Sequence, residues 1–289
     1  MLDNLKKQLE KTFPNEKIIL ETDGWASYDF TVGDDIIRIP KSNIKGYEKE
    51  RDVLKFLKGK ISVEIPSIEV VKGDDLSYSK HKKIKGLNWD IKTFNKLSAK
   101  DKDLFCHDIA IFFAEIHRVS IEDILLEVPD LKKDEVSFPK DKISNCLKSD
   151  FSENEIEKVY IWIEELKEIK NDLVFSHQDF HSYNSLVDEN HRLKCVFYFG
   201  NACIDDRSIE FNGLYWPDYT ELLSSVIKHY KEITNIQVDL EKIKKINEAR
   251  CIDIISYLGD NPELKIKKLN DWNTQIDVLK KIIKDIKIY

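Results

Sequence analysis

Four polar side chains crowd the run HQDFHSYN at residues 177–184: His177, Asp179, His181 and Asn184. The runs on either side, LVF before it and SLVD and LKCVFYFG after it, are mostly apolar, and polar groups lodged beside buried strands require partners or a ligand. Two histidines four apart with a carboxylate between them could bind a transition metal, although no further His or Cys cluster elsewhere completes such a set. The same residues could simply tie a turn together, with Asp179 capping amides and each His bonded to backbone. Their order is itself specific: an Asp after a strand, an Asn five residues on, then a hairpin with Gly200 at its far end.

These residues need a scaffold, and the 289-residue chain has the means to build one. It is 42% hydrophobic and 34% charged, with no collagen-like or heptad period, which excludes a disordered or fibrous chain. Forty-six Lys and Arg against 53 Asp and Glu leave a net charge of −7, a field that repels nucleic acid and anionic membrane. Neither is an expected partner. No stretch of about 18 apolar residues occurs, and the opening MLDNLKKQLEKTF lacks the apolar region of a leader, so a cytoplasmic location is expected. The five cysteines are scattered, without C-x-x-C pairs, and are expected to be reduced thiols. Nine glycines are few against an average near 7%, which excludes a loop of clustered glycines.

Leu5, Leu9 and Phe13 share a helical face that stops at Pro14-Asn15, predicting an opening helix over 3–12 capped by Asp3. Strands are predicted over 17–21, 26–32 and 36–39, separated by Asp23-Gly24 and Gly33-Asp34-Asp35 as in an antiparallel meander. A helix over 47–57 and strands over 67–71 and 77–83 complete a small α+β lobe, residues 1–86. Beyond Leu97 helical patterns dominate, over 99–117, over 153–170 and after Ser208. Residues 87–289 therefore read as a larger, mostly helical lobe, interrupted at 173–200 by strand, loop and hairpin.

The run HQDFHSYN resembles the H-x-D-x-x-x-x-N catalytic loop of the aminoglycoside phosphotransferase and choline kinase-like family, closest to its 2''-phosphotransferase branch. Further segments in the same order strengthen the resemblance. IIRIPK (36–41) looks like the nucleotide-contacting strand, EKERDVLKFL (48–57) like the helix with its paired Glu, and IPSIEVV (65–71) like the next strand. KKIKG (82–86) is similar to the linker between lobes, FFAEIH (112–117) to the helix ending in Leu-His, and DRSIEF (206–211) to the Asp-Pro-x-x-Asp-Leu segment. The resemblance implies an α+β, bilobal protein kinase-like fold with a small antiparallel-sheet N-lobe and a larger, mostly helical C-lobe. It implies transfer of the γ-phosphate of ATP or GTP, with Mg²⁺, to a hydroxyl group. Asp179 would accept the hydroxyl proton and Asn184 would hold a metal ion. Arg38 paired with Glu50 would meet the phosphates, as would Ser27 in the hairpin around Gly24. Lys82, Ile84 and Phe197 would line the nucleotide.

The chain departs from that pattern where relatives read Val-Ile-Asp-Phe-Gly-Asp, for here residues 196–201 are VFYFGN. Tyr198 stands at the metal-binding Asp and Asn201 replaces a second acid. A phenol of pKa about 10 is neutral at pH 7 and offers Mg²⁺ no carboxylate. Two expectations follow: a slow phosphotransferase in which Asp205, Asp206 or water supplies the missing ligand, or a pseudokinase that works as a nucleotide-binding or interaction module. The resemblance also implies a cationic, hydroxyl-bearing acceptor. His181, Glu210, Asp218 and Glu221 are the candidate polar contacts, with Trp216 and Trp272 stacking on it. Equally, YWPDYTELL (215–223) could be a turn and an amphipathic helix with its aromatics in the core. Oligomeric state is not legible.

Overall fold

The computed structural model describes residues 2–24, 26–41, 43–131, 140–284 and 286–287, the side chains of 140–142 excepted. Trp25, in the hairpin expected to cover the phosphates, lies outside the described residues. Helix α1 (Leu2–Thr12) starts one residue before Asp3, which therefore sits in the first turn instead of capping it. An acid there still complements the helix dipole. Strands β1 (Ile18–Asp23), β2 (Ser27–Val32) and β3 (Asp35–Pro40) follow as an antiparallel meander. Helix α2 (Lys45–Leu57) then leads to β4 (Glu69–Val71) and β5 (Tyr78–Lys82), which complete one antiparallel sheet ordered β1-β2-β3-β5-β4.

Alternation along β2 and β3 divides this sheet by face. Phe30, Val32, Ile37, Ile39 and Tyr78 are buried with Leu9 of α1 in a small apolar cluster. Ser27, Asp29 and Thr31 share the opposite face, where Asp29 stands directly across from Arg38.

The larger part of the chain is helical: α3 (Ile91–Lys96), α4 (Ala99–His117), α5 (Ile121–Glu127), α6 (Lys140–Leu147) and α7 (Glu153–Ile169) precede the functional segment. Ser98 caps α4 and a Ser152–Glu155 capping box opens α7, as their sequences require. Strands β6 (Leu173–Ser176), β7 (Ser185–Val187), β8 (Leu193–Val196) and β9 (Cys203–Asp206) form two antiparallel pairs, β6 with β9 and β7 with β8. Then come a 3-10 run, Arg207–Leu214, and helices α8 (Thr220–Thr234), α9 (Leu240–Gly259), α10 (Pro262–Lys267) and α11 (Leu269–Ile283).

Two apolar clusters organise these helices. One gathers α4, α8 and the core of the 173–204 segment; the other gathers α6, α7, α9 and α11. The chain leaving the sheet is fastened at once: Leu87 and Val187 exchange backbone hydrogen bonds of 2.8 and 2.9 Å, and the Trp89 indole donates to Ser185 at 2.9 Å. All five cysteines are free thiols. No described helix is long and apolar enough to cross a membrane.

Candidate active site

The pairing of β6 with β9 and of β7 with β8 brings two loops together, 177–184 and 197–202. His177 joins them. Its Nε2–H donates to the Phe197 carbonyl at 3.1 Å, while Nδ1 accepts from the Asp179 N–H at 3.2 Å. Burial pushes the imidazole pKa down to about 4, so the ring is neutral at pH 7. With both nitrogens engaged, His177 has none left for a metal. Among the described residues no group of three or more His, Cys, Asp or Glu could hold one.

Asp179 is partly exposed, and its Oδ2 accepts from the Asn184 amide at 2.9 Å. The same amide donates to the Asp179 backbone carbonyl at 2.8 Å, fixing the loop and the carboxylate together. His181 Nε2 lies 3.4 Å from the other carboxylate oxygen, and its Nδ1 accepts from the Tyr183 N–H. Burial works to raise the Asp179 pKa, but the His181 hydrogen bond and nearby positive charge outweigh it and hold the carboxyl below its ordinary range. The result is an ionised, partly exposed acceptor.

Beneath this loop lies Glu210, which corrects its assignment as a substrate contact. It is 1% exposed, and one carboxylate oxygen accepts from the Ser176 hydroxyl and the His177 N–H, both at 2.7 Å. Burial raises its pKa to about 7. Its role is to hold the loop from below. Gly213 shows how closely the two segments approach, since a Cβ there would come within 1.7 Å of the Phe180 carbonyl oxygen. Gln178 and Tyr198 both adopt left-handed backbone, at φ 73° and 68°, an unfavourable conformation for side chains of their size.

Across the cleft, Arg38 and Glu50 form a buried ion pair at 2.7 Å, the pairing expected from their spacing. The face of the sheet around them, where the resemblance places the phosphates, is occupied by protein. The Tyr198 ring lies under the guanidinium, with Arg38 Cζ 4.2 Å from its centroid, and Tyr47 stacks at 4.7 Å. The Tyr198 hydroxyl donates to Asp29 Oδ2 at 2.6 Å, and the Ser27 hydroxyl donates to Asp29 Oδ1 at 2.6 Å. Burial and the Asp29 charge push the Tyr198 pKa up, so the phenol is neutral. Ser27 is thus committed to Asp29.

The acids expected to replace the missing carboxylate are committed elsewhere. Asp205 pairs with Lys170 at 3.0 Å and accepts from Gln178, while Asp206 pairs with Lys242 at 2.7 Å and accepts from backbone N–H groups, including those of Asn171 and Asp172. Both side chains are fully buried. Asn201 places its amide 3.5 Å from Asp179. Lys82 does not face the cleft, for it is 77% exposed and paired with Asp35 at 2.8 Å. Ile84 and Phe197 are half-buried.

A cavity of about 780 Å³ lies between α7, α9 and α11, with Trp216 on its wall. Its lining residue Asn247 donates to the Asn212 carbonyl of the run beneath the catalytic loop, and lining residue Arg250 is one of the charges that lower the Asp179 pKa. Trp272 is 2% exposed in the second apolar cluster, with Lys265 Nζ 3.3 Å over its ring, so it does not line this cavity. Asp218 is exposed on the turn Pro217–Tyr219, and Glu221 pairs with Lys102 at 2.9 Å; neither lines the cavity. The described charged lining is Glu165 and Glu248 with Lys245, Arg250 and Lys281. The acidic pocket expected for a cationic acceptor is therefore not formed by these residues.

Asp29 is the main residue that sequence reasoning passed over. Its signal was the polar alternation Ser27, Asp29, Thr31 within a strand buried on both faces. Arg250 and Glu248 carried no signal, since one helical turn of charges looks like solvated surface.

Comparison with known proteins gives a consistent result. The model of the phosphotransferase enzyme family, APH, matches residues 22–239. The ADP-bound aminoglycoside phosphotransferase APH(2'')-Ib superposes with a TM-score of 0.74 at 22% identity, covering 96% of this chain and 98% of its own. The gentamicin complex of APH(2'')-IIa gives 0.73 at 22% identity, with 96% and 97% covered. A macrolide 2'-phosphotransferase type I gives 0.61 at 14% identity, with 99% and 98% covered. The bilobal, kinase-like α+β fold is shared throughout.

Proposed function

On the premise that the chain belongs to the phosphotransferase enzyme family, we propose that it is a kinase-type phosphotransferase acting on a hydroxyl group of a small molecule. The observation that carries this reading is Asp179: an ionised, partly exposed carboxylate pinned by Asn184 and His181. Asp179 accepts the proton of the acceptor hydroxyl as the oxygen attacks the γ-phosphorus of a nucleoside triphosphate, and the bond from that phosphorus to the β–γ bridging oxygen breaks to release the nucleoside diphosphate. His177, neutral and bonded to both loops, keeps Asp179 in register with the phosphate side. ATP or GTP is the donor, in keeping with the ADP held by one structural neighbour. Ile84 and Phe197 border the base, Arg38 meets the phosphates once the Tyr198 ring withdraws, and the lobes divide at Gly86.

The metal is a separate matter. Mg²⁺ favours anionic oxygen in octahedral array. Position 198 offers a neutral phenol and Asp205 and Asp206 are held in ion pairs, so the residues present do not fit the family's metal set. No step is assigned to it.

A second reading, a pseudokinase, is favoured by the Tyr198 ring beneath Arg38 and its hydrogen bond to Asp29, which fill the place of the phosphates. Turnover of labelled ATP and GTP with Mg²⁺ or Mn²⁺, measured beside Tyr198→Asp, separates the two. Phosphate release or transfer that Asp179→Asn abolishes supports the enzyme. Absence of both nucleotide binding and turnover in the native chain and in Tyr198→Asp overturns it and leaves the second reading.

A further inference from the structure

We propose that the cavity between α7, α9 and α11 takes an amphiphilic alcohol carrying an anionic group, and that it rejects polycations. Naming this molecule the acceptor rests on the phosphotransferase reading; the charge preference does not. Three observations carry it. The described ionisable lining is three cations, Lys245, Arg250 and Lys281, against two carboxylates, Glu165 and Glu248. A ligand with several ammonium groups is poorly served by a lining whose cations outnumber its carboxylates.

Arg250 is the second observation. It is half-buried, yet it makes no hydrogen bond or ion pair with any described residue. It feels Asp179 without reaching ion-pair contact. A guanidinium has five donors in a fixed fork, and one partly withdrawn from water with no acceptor among the described residues is suited to a carboxylate or phosphate. The third observation is the apolar lining: Trp162 and Leu166 from α7, Ile254 from α9, and Val278 and Ile282 from α11, with the exposed indole of Trp216 on the wall. These surfaces suit a rigid apolar body. The anionic end meets Arg250 or Lys281.

Isothermal titration of the full chain tests this with three probes: cholate below its micellar concentration, the neutral methyl ester of cholate, and kanamycin. Cholate is expected to bind at least about tenfold tighter than the ester, and kanamycin is expected not to bind. Arg250→Gln and Lys281→Gln are each expected to reduce the preference for acid over ester while leaving ester affinity unchanged, which also reports that the variant is folded. Lys281 is exposed, so its variant remains informative if Arg250→Gln fails to fold. Equal affinity for acid and ester, no binding of cholate, or tighter binding of kanamycin overturns the proposal. The titration contains no nucleotide, so a chain that takes cholate but never transfers phosphate overturns the phosphotransferase reading alone. A chain that phosphorylates kanamycin overturns this proposal alone.

Discussion

One wall of the cleft keeps its carboxylate charged, at Asp179, while the facing loop presents an aromatic ring, at Tyr198. Both sites are held by a dense set of hydrogen bonds, and both lie next to a residue in left-handed backbone or occupy that conformation themselves. They differ in what surrounds the key side chain. Asp179 is approached by donors only, from Asn184 and His181, so the charged form is favoured. Tyr198 is approached by an acceptor, Asp29, and capped by a cation, so the neutral phenol is favoured. A buried guanidinium that would otherwise face solvent or phosphate gains a cation–π contact worth about 0.5–2 kcal/mol. On the proposed reading the two sides of the site are thus decoupled: one holds a charged acceptor while the other becomes a structural contact.

The largest expected effect falls on the charged side. Asp179→Asn should lower any phosphotransfer, in the native chain or in Tyr198→Asp, by about 10²–10⁴-fold, the usual contribution of a positioned general base. An equal rate in initial-velocity assays would remove the functional difference between the two loops. On the opposite side, Arg38→Gln should cost about 3–5 kcal/mol in urea unfolding, because it leaves the buried Glu50 without its partner. A loss under about 1 kcal/mol would mean that the phosphate side is not held by this pair.

Tyr198→Asp sharpens the comparison with a smaller change. It removes the ring from Arg38 and sets a second carboxylate near Asp29, so the midpoint of thermal unfolding should fall, by about 1–3 kcal/mol in stability. Mn²⁺ should restore part of that loss in the variant and leave the native chain unmoved. A metal response in the native chain would contradict the assignment of Tyr198 as a neutral contact.

A pH titration of stability separates the two buried groups under the catalytic loop, which have opposite signs. His177 sits at about 4 against an ordinary 6.5, so the unfolded chain binds more protons between those values and stability is lost as pH falls through that window. Glu210 sits at about 7 against 4.5, so the folded chain binds more protons there and stability is lost as pH rises from 4.5 through 7. Glu210→Gln should therefore gain on the native chain between pH 5 and pH 8 in thermal unfolding; a parallel pair of curves would refute the burial argument. The smallest effect is expected at Lys82→Ala, within about 0.5 kcal/mol and without change in nucleotide affinity, since the side chain points to solvent.

The elements that position the site were largely legible. Helix α4 runs over the predicted 99–117, and β1, β2 and β3 lie within two residues of expectation, because their apolar periods and Gly-Asp turns are local signals. The predicted strand over 67–71 shortens to Glu69–Val71, since Pro66 and the edge position leave little to pair. Glu210 and Trp272 were misjudged for one reason: a carboxylate or an indole in a segment near a site gives no sign of which way it points. Glu210 turns inward to satisfy two donors, and Trp272 turns into an interhelical core.

Residue type and spacing along the chain were enough to determine the order of strands and helices, the polar run around Asp179 and the absence of a carboxylate at position 198. The tertiary structure alone decided that Asp29 answers Tyr198, that Asp205 and Asp206 are spent in ion pairs, and that the described lining of the cavity between α7, α9 and α11 holds more cations than carboxylates. The physical reason is range: periodicity and turn chemistry act between residues a few positions apart. Charge balance in a cleft is set by side chains more than a hundred positions apart, such as Asp29 and Tyr198, which only the packed chain brings within 2.6 Å.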